Sequence, residues 1–486
     1  MREGDYFRGC RPVNLEELLT ERDSRVQRQG ELLSRYLDAK PFGESVLLSL
    51  GLNIPGEYKR FPLADRSFRE EMRITRLSLE AEQIPLIHEE RAERDAGYTG
   101  FMVVAGEAAR LKKLAENIED THRLGRLFDI DVIRADGGKL SRLDRGEARP
   151  CLICGKSGFA CARSKAHSRE ELIDAVTSIM EGFMREQLGD IVSSAALQAL
   201  LGEAAVTPKP GLVDRANNGA HRDMDFFSFI DSAATLLPWF RDCALAGYLS
   251  ARSGGDNPEA LFRSLRQRGR TAELLMRRAA GANTHRGLLF SLGILSAAYG
   301  RLYQESEEPA TIALLDFAAS MTGSLGDDFS VPNPSPSHGE AIHAKNGLTG
   351  IRGEVSAGFP TVREWGLPIL HRFLAEGHGM NDAGLGTLLH LIARTEDTNI
   401  VHRSDRDSLD AIRAATAAFL AGNPGMVEMK KKAAQMDRDF TARNISPGGA
   451  ADLLAVSLFL HALGREGAVD ADALICKRGL DRDKKL

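Results

Sequence analysis

The sequence pattern changes near residue 185, and this change restricts the fold more than any other feature of the chain. Downstream, strand-like segments nearly vanish and a series of segments has helical periodicity. Segments 225–250 and 448–464 are apolar on almost every side, which is typical of helices at the centre of a bundle. We therefore predict an all-α helical domain over residues 185–486.

The first part of the chain has a mixed pattern. Short apolar or β-branched runs at 45–54, 100–106 and 126–133 indicate strands, whereas 15–37 and 106–120 have helical periodicity. This mixture predicts an α+β domain over residues 1–184, with a helix near 168–190 leading into the second domain.

Polar loops rich in glycine and proline separate the helices of the second domain. They cover residues 206–225, 281–287, 323–362, 395–403 and 444–449. A loop of the length of 323–362 inside a compact domain is usually functional or disordered, and its composition is unlike that of a disordered linker. We expect the five loops to share one pocket at one end of the bundle.

Charge and composition exclude several classes of protein. The 486 residues carry a net charge of −5, which argues against a nucleic-acid-binding protein held by phosphate contacts. The start MREGDYFRGC has no apolar signal region, and no apolar run approaches the length that crosses a membrane. We expect a cytoplasmic protein with neither a nucleic-acid nor a membrane partner.

Two aspartates in the predicted strand 126–133 indicate a metal site. Side chains alternate along a strand, so Asp129 and Asp131 face one way and Ile130 and Val132 the other. Paired carboxylates can hold Mg²⁺ against a pyrophosphate. The alternative is a half-exposed strand with a polar outer face.

A cluster of soft ligands follows the aspartates. Cys151 and Cys154 have C-x2-C spacing, and Cys161 and His167 follow closely. These four side chains could close a tetrahedral Zn²⁺ site of structural type, although small buried thiols are the alternative. Upstream, Asn53 and Lys59 lie in the turn NIPGEYKR, where a cation could meet phosphate; a solvated turn explains them equally.

These N-terminal pieces occur together in a recognisable order. LSLGLNIPG, HRLGRLFDIDV and CLICG…CARSKAHSREEL resemble the apo-citrate lyase phosphoribosyl-dephospho-CoA transferase family, over about residues 12–180. The resemblance implies a nucleotidyltransferase-like domain that transfers phosphoribosyl-dephospho-CoA to a serine of the apo acyl carrier subunit of citrate lyase. It implies Asp129 and Asp131 as the metal and phosphate centre and Arg126 as a substrate-binding residue. It does not settle whether zinc is bound.

The segment TPKPGLVDRANNGAHRDMDF (207–226) is dense in groups that do not build cores. We predict Lys209, Arg215 and His221 as substrate-binding residues and Asp214 as a catalytic carboxylate. A loop that enters a helix through an N-cap at Asp225 would explain one residue of this set but not all of them.

The other loops supply similar groups, each of which alone is more often a helix cap or a turn residue. The candidates are Asn283, His285, Arg286, Glu340, Arg352, Glu354, Asp397, Asn399, Arg403, Ser446, Gly448, Gly449 and Asp452.

The same C-terminal motifs resemble a second family. TPKPGLVDRANNGAHRDMDF, GANTHRGLLFSLG, GIRGEVSAGFP, EDTN and SPGGAADLLA are similar to triphosphoribosyl-dephospho-CoA synthases, over roughly residues 190–465. The resemblance implies that ATP and 3′-dephospho-CoA are condensed and adenine is released. Arg286 stands where this family usually has lysine, which keeps the positive charge.

That chemistry accounts for the residue types. A hydroxyl displaces adenine from C1 of the ATP ribose, so a carboxylate base and bound phosphates are needed. We predict Lys209, His285, Arg286, Arg352 and Arg403 at the phosphates. The carboxylates Asp214, Glu340, Asp397 and Asp452 are candidates for the base or for Mg²⁺ ligands.

Two alternatives stay open at this point. The chain could make the same prosthetic group for another acyl-carrier enzyme, such as malonate decarboxylase. It could also be a non-catalytic module that binds a carrier protein or a CoA derivative.

Overall fold

A computed structural model describes residues 6–7, 9–37, 45–140, 149–252, 257–323, 325, 343–344 and 347–468. The chain divides into two compact units, Met1–Met184 and Arg185–Leu486. None of the described helices has the length and apolar character needed to cross a membrane.

The first unit contains a five-stranded antiparallel sheet. Its strands are β1 Ser45–Leu50, β2 Leu86–Arg94, β3 Gly97–Ala105, β4 Asp131–Ile133 and β5 Lys139–Leu140. They pair in the order β2-β3-β1-β4-β5. Every residue of the central strand β1 is buried, which explains its continuous apolar sequence SVLLSL.

Helices complete the first unit, which confirms the α+β prediction. They are α1 Leu15–Leu37, α2 Pro62–Ala81, α3 Ala108–Thr121, α4 Gly158–Ser164 and the beginning of α5 Arg169–Ala205. Apolar side chains of β1 and β3 pack with those of α2 and α3 in one core. The sequence did not predict β2, an edge strand in which charged residues interrupt the apolar pattern.

The predicted strand 126–133 is shorter than expected, since only its last three residues form β4. Upstream, an isolated bridge between Leu52 and Phe128 continues the pairing, and side-chain carboxylates act as further hydrogen-bond acceptors. The Asp129 N–H donates to Glu71 Oε1 as well as to a backbone oxygen, and the Ile130 N–H donates to Glu119 Oε1. The predicted alternation nevertheless holds, because Ile130 is buried whereas Asp129 and Asp131 are half-buried.

The second unit is an all-α bundle, as predicted, and its described residues include no strand. After α5 come α6 Phe226–Arg252, α7 Pro258–Ala280, α8 Arg286–Leu302, α9 Thr311–Met321, α10 Gly350–Ser356, α11 Leu367–Ala375, α12 Met380–Ile392, α13 Thr398–Arg403, α14 Arg406–Ala421, α15 Met426–Ala442 and α16 Gly448–Ala468. A π-helical turn, Val362–Gly366, precedes α11.

Helices α6 and α8 approach closely at the centre of this unit. A Cβ atom on Gly247 would lie 1.9 Å from the Ala297 carbonyl oxygen, and one on Gly300 would lie 1.9 Å from that of Ala244. Only glycine fits at such distances, so these two positions let the buried helix α8 dock against α6. The Trp239 indole N–H donates to the Leu289 carbonyl at 3.1 Å across the same interface.

Two segments predicted as loops are short helices. Residues 350–356 form α10 and 398–403 form α13. Neither helix was predicted, because both sequences are polar or rich in glycine. The Asp397 carboxylate caps the N-terminus of α13. The predicted catalytic residue Glu340 lies outside the described residues.

Candidate active sites

A cavity of about 1190 Å³ lies in the second unit, at the helix ends and loops that carry the polar motifs. Parts of all five predicted loop segments line it. Its wall includes the predicted residues Lys209, His221, Asn283, His285, Arg286, Arg352, Glu354, Asn399, Arg403, Ser446, Gly448, Gly449 and Asp452. The wall does not include Asp214, Arg215 or Asp397.

The carboxylate of Asp214 organises the 207–226 loop. One oxygen accepts from the Lys209 N–H at 2.9 Å, and the other accepts from Ala216 N–H at 2.7 Å and Asn217 N–H at 3.0 Å. Since these bonds occupy the buried carboxylate with the backbone, its placement argues against the predicted role as base or metal ligand.

Two glycines close this loop. Gly211 and Gly219 have φ values of +67° and +54°, in the left-handed region that favours glycine. A Cβ on Gly219 would lie 2.4 Å from the Gly211 carbonyl carbon, and one on Gly211 would lie 2.3 Å from the Ile445 oxygen. The loop therefore folds back on itself and against the segment that leads into α16.

The contacts of Arg215 do not favour its predicted substrate-binding role. It is exposed, and its guanidinium donates to Thr207 Oγ1 at 3.3 Å and to Asn381 Oδ1 at 2.9 Å. These contacts tie the loop to α12 outside the cavity wall.

Asp397 joins the N-termini of two helices. Its Oδ1 accepts from the N–H groups of Asn399 and Ile400 in α13, and its Oδ2 accepts from the Ala450 N–H in α16. Burial raises the pKa of this carboxyl to about 6. A Cβ on Gly449 would lie 3.0 Å from the carboxylate, which explains the glycine there. Asp397 thus shapes the site as a shared cap, and its contacts do not favour the predicted base or Mg²⁺-ligand role.

A buried ion pair lies in the cavity wall. Lys209 Nζ is 2.5 Å from Glu203 Oε1, and both side chains are almost fully buried. Glu203 was not predicted from the sequence, although a single carboxylate inside the apolar run ALQALLGEAA was an available signal. The pair makes Lys209 a fixed positive charge beside any bound substrate.

Asp452 projects from the first turns of α16 next to α8. A Cβ on Gly287 would lie 1.9 Å from its Oδ2, so the carboxylate rests on the backbone of the first turn of α8. Within the described part of the chain, no hydrogen bond or ion pair engages this carboxylate. Burial, with smaller effects from the charges of Glu203 and Asp397, raises the pKa of Asp452 well above its usual range.

The Gly287–Asp452 contact yields a prediction. In Gly287→Ala the new methyl group must displace the carboxylate, and we expect the rate of the reaction in this unit to fall by about a hundredfold. Gly464→Ala, in the same helix as Asp452 but with open space around it, is the matched control and should keep the wild-type rate. Equal rates for wild type and Gly287→Ala would show that the Asp452 position is unimportant.

His221 connects two predicted substrate-binding residues. Arg403 donates to His221 Nδ1 at 3.2 Å, so the imidazole proton is on Nε2, which donates to Ser446 Oγ at 2.9 Å. Burial and the nearby Arg403 charge lower the pKa of His221 to about 4. Arg403 also donates to the Ala220 carbonyl at 2.9 Å. The chain of contacts leaves the Ser446 hydroxyl proton available at the start of α16.

His285 is a buried neutral imidazole. Its Nδ1 lies 2.6 Å from Ser232 Oγ, whereas its buried Nε2 has no hydrogen-bond partner among the described residues. Burial, with a smaller effect of the Lys209 charge, lowers the pKa of His285 to about 3. His285 therefore offers the cavity a hydrogen-bonding nitrogen rather than a positive charge.

The low pKa of His285 predicts how stability depends on pH. Below about pH 6.5 the unfolded chain binds a proton at this histidine that the folded unit does not bind until about pH 3. As pH falls through this window, the free energy of unfolding of wild type should decrease faster than that of His285→Gln, by up to about 1.4 kcal/mol per pH unit.

Tryptophan fluorescence during urea unfolding measures this, because Trp239 and Trp365 both lie in the second unit. His402→Gln, at an exposed histidine, should keep the wild-type slope. Parallel curves for wild type and His285→Gln would show that His285 titrates normally in the folded protein.

Helix α7 adds cations that were not predicted from the sequence. Arg266, Arg270 and Arg277 line the cavity with Glu273, at spacings that place them on one helix face. Arg286, at the start of α8, lies 3.3 Å from Glu273. The periodicity of these arginines in RSLRQRGRTAELLMRR was the available signal.

The first unit has its own cavity, of about 730 Å³. It brings together the predicted residues Asn53, Arg126, Asp129, Asp131, Cys151, Cys161 and His167. Lys59 is not in the wall. It donates to the Ile54 carbonyl beneath its own turn, and burial lowers its pKa.

The two predicted aspartates differ in their surroundings. Lys139 Nζ lies 2.5 Å from Asp131 Oδ2, whereas no hydrogen bond or ion pair engages the Asp129 carboxylate within the described residues. Behind them Glu71 is fully buried and accepts from the Asp129 N–H at 3.2 Å. Burial raises the Glu71 pKa well above its usual range, and its Oε1 supports the aspartate backbone.

Cations surround this aspartate pair. Arg149 donates to the Phe128 carbonyl at 2.9 Å and forms an ion pair with Glu119, which places its guanidinium beside the aspartates. Arg126 donates to the Pro150 carbonyl. Neither Arg149 nor Glu119 was predicted, because Arg149 lies beyond any recognisable motif and Glu119 ends an ordinary amphipathic helix.

The cysteine cluster lies at the edge of the same cavity. Ligand atoms of Cys151, Cys154, Cys161 and His167 all lie within 4.8 Å of one another. A hydrogen bond from the Lys156 N–H, with smaller effects of the neighbouring His167 and Cys161 side chains, lowers the pKa of the Cys154 thiol to about 6.

Comparison with protein families gives a match in each unit. Residues 190–470 match the ATP:dephospho-CoA triphosphoribosyl transferase family. Residues 13–183 match the apo-citrate lyase phosphoribosyl-dephospho-CoA transferase family.

Individual relatives extend these matches. The protein CitXG of Leuconostoc mesenteroides subsp. cremoris is 33% identical over 94% of this chain and 99% of its own length. The CitXG protein of Haemophilus influenzae is 33% identical over 92% of this chain and 96% of its own length. A 2-(5″-triphosphoribosyl)-3′-dephosphocoenzyme-A synthase of Klebsiella pneumoniae is 40% identical over 56% of this chain and 90% of its own length.

Proposed function

This chain belongs to the CitXG family, which joins the two transferase units in one polypeptide, and from its geometry we propose how each unit works. The chain is a bifunctional transferase that makes and attaches the prosthetic group of citrate lyase. The second unit joins ATP to 3′-dephospho-CoA and releases adenine. The first unit transfers the product to a serine of the apo acyl carrier protein and releases diphosphate.

Asp452 is the base of the adenine-releasing reaction in this proposal. The single observation that carries it is a carboxylate on the cavity wall that no side chain or backbone group of the described residues engages. It takes the proton of the attacking hydroxyl as the new C1–O bond forms; adenine leaves with the electron pair of the broken C1–N bond and takes up a proton from solvent. Its raised pKa makes it a stronger base than an ordinary carboxylate. We assign this role to Asp452 in preference to Mg²⁺ ligation.

The phosphates of two substrates need two sets of donors. We assign one set to Arg266, Arg270 and Arg277 of α7. The other is Arg403 with the Ser446 hydroxyl at the start of α16, which line the same cavity. A cavity of about 1190 Å³ exceeds the usual range for one drug-sized ligand, which fits ATP and 3′-dephospho-CoA bound together.

The neutral His285 lines the same cavity. Its unpartnered Nε2 can form one hydrogen bond to a substrate oxygen or nitrogen, and its lack of charge leaves Lys209 as the buried cation of this wall. The phosphate-binding role predicted for Lys209 is therefore retained in the proposal, as a charge held in place by Glu203.

In the first unit, Asp129 and Asp131 fit a Mg²⁺ ion. They supply hard carboxylate oxygens on one face of a cavity that arginines also line. A bound Mg²⁺ would neutralise charge on the pyrophosphate of the incoming substrate. Arg126 and Arg149 would hold the same phosphates, and Asn53 completes the wall. Two carboxylates beside an antiparallel sheet support, as part of this proposal, a nucleotidyltransferase-like first unit.

The alternative functions differ in the carrier protein and in whether the chain is a catalyst. Family membership favours the acyl carrier subunit of citrate lyase over the equivalent subunit of malonate decarboxylase. A module that only binds a carrier would not need the Asp452 and Asp129 carboxylates on cavity walls.

Adenine release tests the proposal. The full chain is incubated with ATP, 3′-dephospho-CoA and Mg²⁺, and free adenine is followed by chromatography. We expect adenine only when both substrates are present. A folded protein that forms none would rule out synthase activity.

A further inference from the structure

The cysteine cluster of the first unit has a defined local structure. A hairpin holds its first half: the Cys151 N–H donates to the Lys156 carbonyl at 2.5 Å, and Pro150 pairs with Ser157. Gly155, with φ of +70°, supplies the reversal between the two sides of this hairpin. The turn brings Cys151 and Cys154 to one side.

The second half of the cluster comes from α4 and the segment after it. Ser157 caps α4 by accepting from the Ala160 N–H, and Cys161 lies one turn further along the helix. The Cys161 carbonyl accepts from the Ala166 N–H at 3.1 Å, which returns the chain and places His167 beside the thiols. Twelve residues separate Cys154 from His167, yet all four ligands converge.

Distances and donor types fit one metal ion. All four ligand atoms lie within 4.8 Å of one another, and the Cys154 and Cys161 sulfurs are 3.4 Å apart. Tetrahedral zinc with sulfur and nitrogen ligands needs donor separations of about 3.3–3.8 Å, so small side-chain movements suffice.

His167 supplies an independent observation. Its Nε2 is buried and has no hydrogen-bond partner among the described residues. A buried imidazole nitrogen without a partner is costly, and a metal ion would satisfy it. The close sulfurs of Cys154 and Cys161 could instead form a disulfide. That bond would leave the His167 Nε2 and the Cys151 thiol without a metal ion to bind.

We propose that Cys151, Cys154, Cys161 and His167 bind one zinc ion. Three thiolates and an imidazole fill a tetrahedral zinc coordination shell, which leaves no position for substrate and makes the site structural. The ion closes residues 150–167 into a clip, which we call the zinc clip.

The zinc clip forms one wall of the transfer cavity. Phe159 and Lys165 of the clip line that cavity, and Arg126 is anchored on the Pro150 carbonyl at the base of the clip. Arg149 immediately precedes the clip and reaches the Asp129 region through the Phe128 carbonyl. This consequence rests on the proposed function: loss of zinc should disorder the wall that holds Arg126 and Arg149 and slow transfer to the carrier.

Metal analysis of the full chain tests the zinc clip directly. We expect one zinc per chain after purification without chelator, and a zinc-depleted sample should take up Co²⁺ with the intense visible absorption of tetrahedral cobalt thiolates. Cys154→Ser and His167→Ala should each lower the zinc content severalfold and weaken the cobalt spectrum. Cys10→Ser, a cysteine outside the cluster, should match wild type.

Two results would overturn the proposal. The first is a folded wild-type chain that neither contains zinc nor acquires the cobalt spectrum while its cluster thiols still react with a thiol reagent. The second is a Cys154–Cys161 disulfide in protein kept under cytoplasm-like reducing conditions.

Activity then separates the zinc clip from the proposed function. Zinc-depleted protein assayed in excess Mg²⁺, or Cys154→Ser, should load the carrier severalfold more slowly, whereas adenine release by the second unit should stay at the wild-type rate. Zinc binding without any carrier loading by wild type would refute the transfer reaction but not the site. Unchanged loading by zinc-free protein would refute the supporting role of the clip.

Discussion

Asp452→Asn should nearly abolish adenine release, with a loss of about 10²–10⁴-fold in turnover. The amide keeps the size of the side chain but cannot take a proton from the attacking hydroxyl. Substrate binding should change much less, because the arginines of α7 and Arg403 with Ser446 hold the phosphates. We expect the loss in kcat, measured as adenine formed per chain at saturating ATP and 3′-dephospho-CoA.

Asp407→Asn is the matched control for this substitution, since it removes an exposed carboxylate from α14 in the same unit. It should keep wild-type kcat. If Asp452→Asn retained more than a tenth of the wild-type rate while the protein stayed folded, another carboxylate would have to be the base, with Glu203 the nearest candidate.

Asp129→Asn should block the transfer reaction to a similar extent. Its carboxylate is the unengaged member of the predicted metal pair, whereas Lys139 already neutralises Asp131. Loss of one hard oxygen ligand weakens Mg²⁺ binding and leaves the pyrophosphate charge less compensated, so we expect a loss of about 10²-fold or more in transfer. The measurement is the rate of carrier loading from purified triphosphoribosyl-dephospho-CoA.

The control for Asp129→Asn is Asp120→Asn, an exposed carboxylate in α3 of the same unit, which should load the carrier like wild type. Adenine release should be unaffected by Asp129→Asn. A parallel loss of both activities would indicate that the substitution unfolds the chain or that the two reactions share residues. Raised Mg²⁺ should partly rescue transfer if the defect is in metal binding.

The spacing of apolar residues was enough to predict the fold class of each unit, because burial determines which positions are apolar. The apolar sequences of β1 and of the central helices report directly that those elements are buried. Edge strand β2 was missed because charged residues interrupt its apolar pattern; two of them, Glu89 and Glu90, pair with arginines of α2 and α1. Helix α13 was missed because it has only six residues, TNIVHR, too few to show helical periodicity, although its cap Asp397 directly precedes it.

The residues of the candidate sites were likewise predicted only in part. Polar site residues in loops, such as Lys209 and Ser446, were predicted because they cluster between the apolar helical segments. What each carboxylate contacts could not be predicted, and Asp214 and Asp397 turned out to bind backbone N–H groups. Glu203 and the α7 arginines were missed because they lie within regular helices.

Carrier loading by the complete reaction is the most direct test of the central claim, that one chain both makes and attaches the prosthetic group. Wild-type protein is incubated with ATP, 3′-dephospho-CoA, Mg²⁺ and the apo acyl carrier subunit of citrate lyase, and the intact mass of the carrier is measured. We predict a mass increase of one phosphoribosyl-dephospho-CoA group, with one adenine and one diphosphate released per loaded carrier. A folded chain that leaves the carrier mass unchanged, or that loads it without releasing adenine, would contradict this account.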